Sequence, residues 1–165
     1  MKVNKKVYRW FIEITLILIV ISAVRFWMQR DVVTGIAPNI TAITLDSKYF
    51  ELYKDKSRPI LIHFWATWCP VCKLEQSNIN NVAKDHSVIT IAMQSGNKEE
   101  LNQYVQEENL KFKIINDEFG DLSKLYHVTG VPVSFIVDND NVIKFIEVGY
   151  TTELGLRLRL WWAGL

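Results

Sequence analysis

The segment Pro59-Ile60-Leu61-Ile62-His63-Phe64 leads directly into Trp65-Ala66-Thr67-Trp68-Cys69-Pro70-Val71-Cys72-Lys73, which holds both cysteines of the 165-residue chain. The first part is a short, branched apolar run after a charged turn, the pattern of a buried strand. The residues after the second cysteine read as a helix. A strand that hands a Cys-x-x-Cys to the first turn of a helix is a redox arrangement. The first backbone N–H groups of a helix lack partners and carry partial positive charge. A thiolate set there is stabilised, so its pKa falls below that of a free thiol. Cys69 is expected at the N-cap, with Pro70 at the first helical position, where a missing N–H costs nothing. Cys72 lies one turn on and points inward, so Cys69 is the expected attacking thiol and Cys72 the resolving one.

Two cysteines could instead hold a metal. Structural zinc needs four ligands, and there is no second Cys-x-x-Cys; His63, His86 and His127 are scattered. No metal site is expected, although two thiolates alone suit Cu(I), a soft ion. A copper-binding or copper-delivery module is therefore the alternative to a thiol–disulfide enzyme, and the enzyme needs no diffusible cofactor.

Charge is unevenly spread. Residues 1–30 hold Lys2, Lys5, Lys6, Arg9, Arg25 and Arg30 but one acid, Glu13. Removing those six and one from the totals of 19 and 18 leaves 13 basic against 17 acidic residues, a net of −4. A mildly acidic domain has no basic face for nucleic acid, and that class is excluded.

Val7 to Met28 is the most hydrophobic stretch. Its uncharged centre, Ile14 to Val24, is short, but with Trp10, Phe11, Ile12, Phe26 and Trp27 it approaches the ~20 residues a helix needs to cross a bilayer. Glu13 and Arg25 lie near its ends, and Trp10 and Trp27 bracket it as interface anchors. Val24-Arg25-Phe26-Trp27 offers no small-residue cleavage pattern, which argues against a removed signal peptide. A core helix would not need apolar residues all round. Lys2, Lys5, Lys6 and Arg9 hold the N-terminus in the cytoplasm, so the cysteines face outward, where disulfides persist. The expected organisation is a cytoplasmic stub and transmembrane anchor over residues 1–30, a linker over 31–40 and a domain over 41–165.

Within the domain, Thr41 to Leu45 reads as a strand and Ser47 to Tyr53 as a short helix. The Cys helix runs to about Ala83, with Val71, Leu74, Val82 and Ala83 on its apolar face. Ser87 to Met93 is a strand. Asn97 with Glu100 forms a capping box for a surface helix through Glu108. Phe112 to Asn116 is a strand, and Gly120 to Tyr126 a short helix. Strands on either side of Asp138-Asn139-Asp140-Asn141 make a hairpin. Thr151 caps a last helix with Leu154, Leu158, Trp161 and Leu165 at helical spacing, although the alternating leucines also suit a strand. Trp161 and Trp162 read as packing or membrane-interface residues. Strands alternating with helices, then a hairpin and a helix, give an α/β sandwich, a mixed sheet with helices on both faces.

Phe64 to Lys73, followed some sixty residues on by Gly130-Val131-Pro132, resembles the thioredoxin fold. More closely, the chain resembles the membrane-anchored TlpA/ResA-like group, and within it the ScsD-like disulfide oxidoreductases, over about Ile43 to Leu165. The resemblance implies a three-layer sandwich and exchange of disulfides with protein substrates through a Cys-Pro-Val-Cys site. It implies a bacterial inner-membrane protein, spanning once, with the catalytic domain in the periplasm and a membrane redox partner that recycles the dithiol. By resemblance Pro132 is the cis-proline beside the dithiol, and Val131 offers its backbone to an extended substrate. Trp68 flanks the thiols, and with Pro70, Val71 and Val131 it forms the substrate-binding set. Glu75 matches an acid kept near the dithiol as proton acceptor, completing a catalytic set with Cys69, Cys72 and Pro132. Two positions depart from the pattern. His63 stands where thioredoxin has a buried acid, and Gln76-Ser77-Asn78 replaces an apolar residue and a proline.

Overall fold

A computed structural model describes residues 9–17, 19–20 and 32–165. The chain divides into two units after Asp31. In the first, residues 9–17 and 19–20 are helical. The remainder of the expected anchor, with Arg25, Trp27 and the leading lysines, lies outside the described residues. Among the described residues no helix is long and apolar enough to cross a membrane.

The second unit is built on a five-stranded sheet. Strand β3 (Ile60–Trp65) is central, because every residue in it is buried; a strand covered on both faces needs the continuous apolar run seen in the sequence. Strand β4 (Ser87–Met93) pairs parallel with it, and β5 (Lys113–Asp117) pairs parallel with β4. On the other side β6 (Val133–Val137) and β7 (Ile143–Val148) run antiparallel, giving the order β5-β4-β3-β6-β7. A small antiparallel pair, β1 (Thr41–Ile43) and β2 (Tyr49–Glu51), stands apart. Four helices complete the unit: α1 (Pro70–Val82), α2 (Lys98–Glu107), α3 (Asp121–Leu125) and α4 (Glu153–Ala163).

Two apolar layers sandwich the sheet. One joins Leu61, Trp65 and Ile136 to Ile79 and Val82 of α1, Leu101 of α2, and Leu156 and Leu160 of α4. The other joins Ile60, Ile62, Phe64 and Phe135 to Tyr126 beyond α3 and to Ala37, Ile40 and Leu52. The expected mixed-sheet thioredoxin-like sandwich is the fold found. The capping box on α2 is present in both directions, Asn97 Oδ1 accepting from the Glu100 N–H and Glu100 Oε2 from the Asn97 N–H, each at 2.9 Å.

Five expectations change. The linker is built into the domain from residue 32 on: Ile36 bridges Val142, the Ala37 N–H donates to Asn141 O at 2.8 Å, and Ala37 and Ile40 are wholly buried. Ser47 to Tyr53 is not a helix; it is β2 followed by a 3-10 turn at Leu52–Lys54, since Phe50 and Leu52 turn into the second core. On α1, Val71 and Leu74 face outward and the buried face is Cys72, Glu75, Gln76, Ile79 and Val82. On α4 the cap is Thr152, whose Oγ1 accepts from the Gly155 N–H at 3.2 Å.

The apolar face of α4 is also reversed. Leu156, Leu160 and Ala163 go inward, while Leu154, Leu158, Trp161 and Leu165 are exposed. Leucines at 154, 156, 158 and 160 supply both faces, so the charged neighbours set the rotation. Arg157 reaches Asp85 at 2.6 Å and Glu153 at 2.8 Å, and Arg159 reaches Glu147 at 2.8 Å.

Candidate active site

The C-terminal end of β3 carries the chain out of the sheet and into α1. Trp65 is fixed by its indole N–H, which donates to Thr90 Oγ1 at 3.1 Å inside the core. The next turn is held by the Thr67 N–H on Ser95 Oγ and the Cys69 N–H on Ala66 O. Trp68 lies on the surface, its indole N–H donating to Gln94 O at 3.1 Å.

Cys69 is the N-cap of α1 in extended conformation and Pro70 is the first helical residue, as expected from the sequence. The Cys69 Sγ accepts from the Cys72 N–H at 3.1 Å. This is the geometry in which an unpartnered first-turn amide stabilises charge on sulfur. The two cysteines form a disulfide, with Cα atoms 5.3 Å apart. Cys72 is sealed at 1 % exposure and Cys69 keeps 5 %, so Cys69 is the sulfur nearer to solvent.

Val131 and Pro132 close over the pair from the start of β6. Their peptide bond is cis, and the Val131 carbonyl oxygen lies 3.6 Å from Cys69 Sγ. The Pro132 carbonyl accepts from the Gly149 N–H at 2.9 Å. Pro70 and Val71 are exposed beside Trp68, so the surface around Cys69 is apolar. Thus Trp68, Pro70, Val71, Val131 and Pro132, some sixty residues apart in sequence, meet around one sulfur.

Glu75 lies one turn beyond Cys72 on the same face of α1 and is wholly buried. One carboxylate oxygen, Oε1, accepts from the Thr151 N–H at 3.1 Å; Oε2 has no partner among the described residues. Desolvation dominates and pushes the pKa up to about 7; the nearby Glu147 carboxylate adds to the rise, and the Thr151 bond opposes it. His63 faces the same side of the sheet as Trp65, two residues on. Its Nδ1 pairs with Ser134 Oγ at 2.9 Å, and burial pushes its pKa down to about 3, so it is neutral. Among the described residues no group of three His, Cys, Asp or Glu side chains could hold a metal ion.

Three residues of this environment escaped the sequence reading: Thr151, which binds Glu75 through its backbone; Asn78, which binds Thr151; and Glu147, which faces Glu75 electrostatically. A backbone donor leaves no trace in residue type. The one available signal was Asn78 itself, a poor helix former inside a helix.

The site can be set beside known proteins. The family model described as the AhpC/TSA family matches residues 33–146. A thioredoxin-like protein of Haemophilus influenzae is 29% identical, the match covering 96% of each chain. The thiol-disulfide oxidoreductase ResA of Bacillus thuringiensis subsp. konkukian is 30% identical over 93% of this chain and 94% of its own. The crystal structure of StoA from Bacillus subtilis superposes with a TM-score of 0.63 at 25% identity, covering 73% of this chain and 95% of that one. A strand that leads into a helix opening on Trp-Cys-Pro-Val-Cys, a cis-Pro132 beside the first sulfur and these matches together mean that the chain belongs to the AhpC/TSA family of thioredoxin-like proteins, in its TlpA/ResA-like group.

Proposed function

We propose that this chain is a protein thiol–disulfide oxidoreductase that works outside the cytoplasm from a membrane anchor. The single observation that carries the enzymatic part is the Cys69–Cys72 disulfide, with Cys69 Sγ at the amide of Cys72 and under the carbonyl of Val131. The ResA relative is named as an enzyme of this class.

In the reduced protein the Cys69 thiolate attacks a substrate disulfide. A Cys69–substrate S–S bond forms, the substrate S–S bond breaks, and one substrate thiolate leaves. Cys72 then gives its proton to Glu75 and attacks Cys69 Sγ. The mixed disulfide breaks, the Cys69–Cys72 bond forms, and the second substrate thiolate leaves. Two electrons pass from the pair to the substrate; run backwards, the same steps oxidise a substrate dithiol. A carboxyl group with a pKa of about 7 is matched to that proton transfer at neutral pH. Trp68, Pro70, Val71 and Val131 receive the substrate segment, and a membrane redox partner resets the dithiol.

Trapping tests the roles of the sulfurs. Cys72→Ser accumulates mixed disulfides through Cys69; accumulation only in Cys69→Ser would reverse the assignment. The anchor over residues 1–30 rests on its length, its tryptophans and its leading lysines. Alkaline extraction should leave the chain with the membranes, and protease added to spheroplasts should reach the domain. Tight Cu(I) binding without exchange activity would install the copper alternative instead.

A further inference from the structure

We propose that Asn78 is a positioning residue for Glu75, acting through the loop between β7 and α4. The inference rests on the reading of Glu75 as the proton acceptor, and its test separates the two.

Thr151 is held at both of its backbone groups by one helix. Its N–H donates to Glu75 Oε1 at 3.1 Å, and its C=O accepts from Asn78 Nδ2 at 3.0 Å. Glu75 and Asn78 stand three apart on α1, one turn from each other, so they grip the loop side by side. The Asn78 amide also reaches the Tyr150 hydroxyl, with Nδ2 and Oη 3.2 Å apart. Two hydrogens of one amide thus serve two consecutive loop residues.

The loop's other end is tied as well, because the Gly149 N–H donates to Pro132 O at 2.9 Å. Gly149 has φ +86°, a conformation open to glycine at little cost. Residues 149–151 therefore stitch the Pro132 segment above Cys69 to the helix that carries Cys72 and Glu75. An asparagine inside a helix is intrinsically less favourable than alanine. Here its side chain is spent on the loop.

The consequence is electrostatic. Glu75 stands one turn beyond Cys72 on its own helix and feels Glu147 on β7, which is paired with Arg159 of α4, and the loop backbone. Thr151 is itself buried, and its N–H binds one oxygen of the buried carboxyl group. With Asn78 in place this loop is held and water is kept from Glu75. Without it the Thr151 carbonyl loses its donor, the loop loosens and water reaches the carboxylate. Hydration favours the charged form, and this outweighs the lost Thr151 bond because desolvation is the larger influence.

The test uses the full chain in detergent. The Glu75 carboxyl carbon is titrated by NMR, its signal assigned by loss in Glu75→Gln. In Asn78→Ala, and in the shape-preserving Asn78→Leu, the midpoint should fall by about one pH unit or more toward the ordinary carboxylate range. The pH profile of the exchange rate should move acid-ward with it, and that shift should vanish in the Glu75→Gln background. An unmoved Glu75 midpoint in both variants overturns the proposal. A moved midpoint with an unmoved rate profile upholds the role of Asn78 and ends the reading of Glu75 as the base.

Discussion

His63 and Glu75 are both sealed in the core on the same side of the sheet, yet burial has opposite chemical results for them. Each is driven toward its neutral form. For His63 that pushes the pKa down to about 3. The ring is satisfied by Ser134 and does not titrate near neutrality. For Glu75 it pushes the pKa up to about 7, and one oxygen lacks a partner among the described residues. The same desolvation disarms the imidazole and arms the carboxyl group. A titratable group is therefore not marked as functional by burial alone; the sign of its shift relative to working pH decides.

The largest test of this contrast is kinetic. Glu75→Gln should lower the exchange rate at pH 7 by ~10²-fold or more, the range of a lost general base. His63→Asn, which keeps a polar atom toward Ser134, should leave the rate unchanged. Equal losses would break the distinction. The next test is stability in acid. A histidine lowered from 6.5 to about 3 contributes stability present above pH 6.5 and lost as pH falls through 3. By pH 3 the loss is on the order of 4 kcal/mol, and urea unfolding of His63→Asn should lack that component.

Glu75 gives the opposite slope. A carboxyl raised from 4.5 to about 7 contributes stability that is full below pH 4.5 and lost as pH rises through 7. Glu75→Gln should therefore unfold like the parent at pH 4 and be more stable at pH 8, by on the order of 3 kcal/mol. The smallest effect is expected at Thr151, whose hydroxyl is buried without a partner among the described residues while its backbone does the binding. Thr151→Ala should change stability by no more than ~0.5 kcal/mol and leave the Glu75 midpoint in place. A large effect would shift the burden from backbone to side chain.

The dithiol half of the site was legible because it is local. Cys69, Pro70 and Cys72 announce a capped helix start within four residues, and β3, β4 and the hairpin arise from short apolar runs and turn residues. Pro132 came from a motif shared with relatives, since nothing near residue 132 points to residue 69. The supports of Glu75 were not legible because each is a pairing across more than seventy positions. The rotation of α4 failed for the same reason: its leucines fit either face, and Asp85 and Glu147 decide between them from other elements. Residues 32–40 looked like a connector because Gly35 and Pro38 break regular structure, but irregular backbone can still be packed.

The His63–Ser134 contact has one more consequence, for how the strands find each other. His63 stands opposite Ser134 between β3 and β6, with Val133 and Phe135 on either side of the serine. Sliding β6 by one position would set a hydrocarbon group against the imidazole and strand a buried nitrogen. The inert histidine thus acts as a key for alignment: only one offset of the two strands closes the middle of the sheet, and that offset is the one that brings Pro132 over the first sulfur.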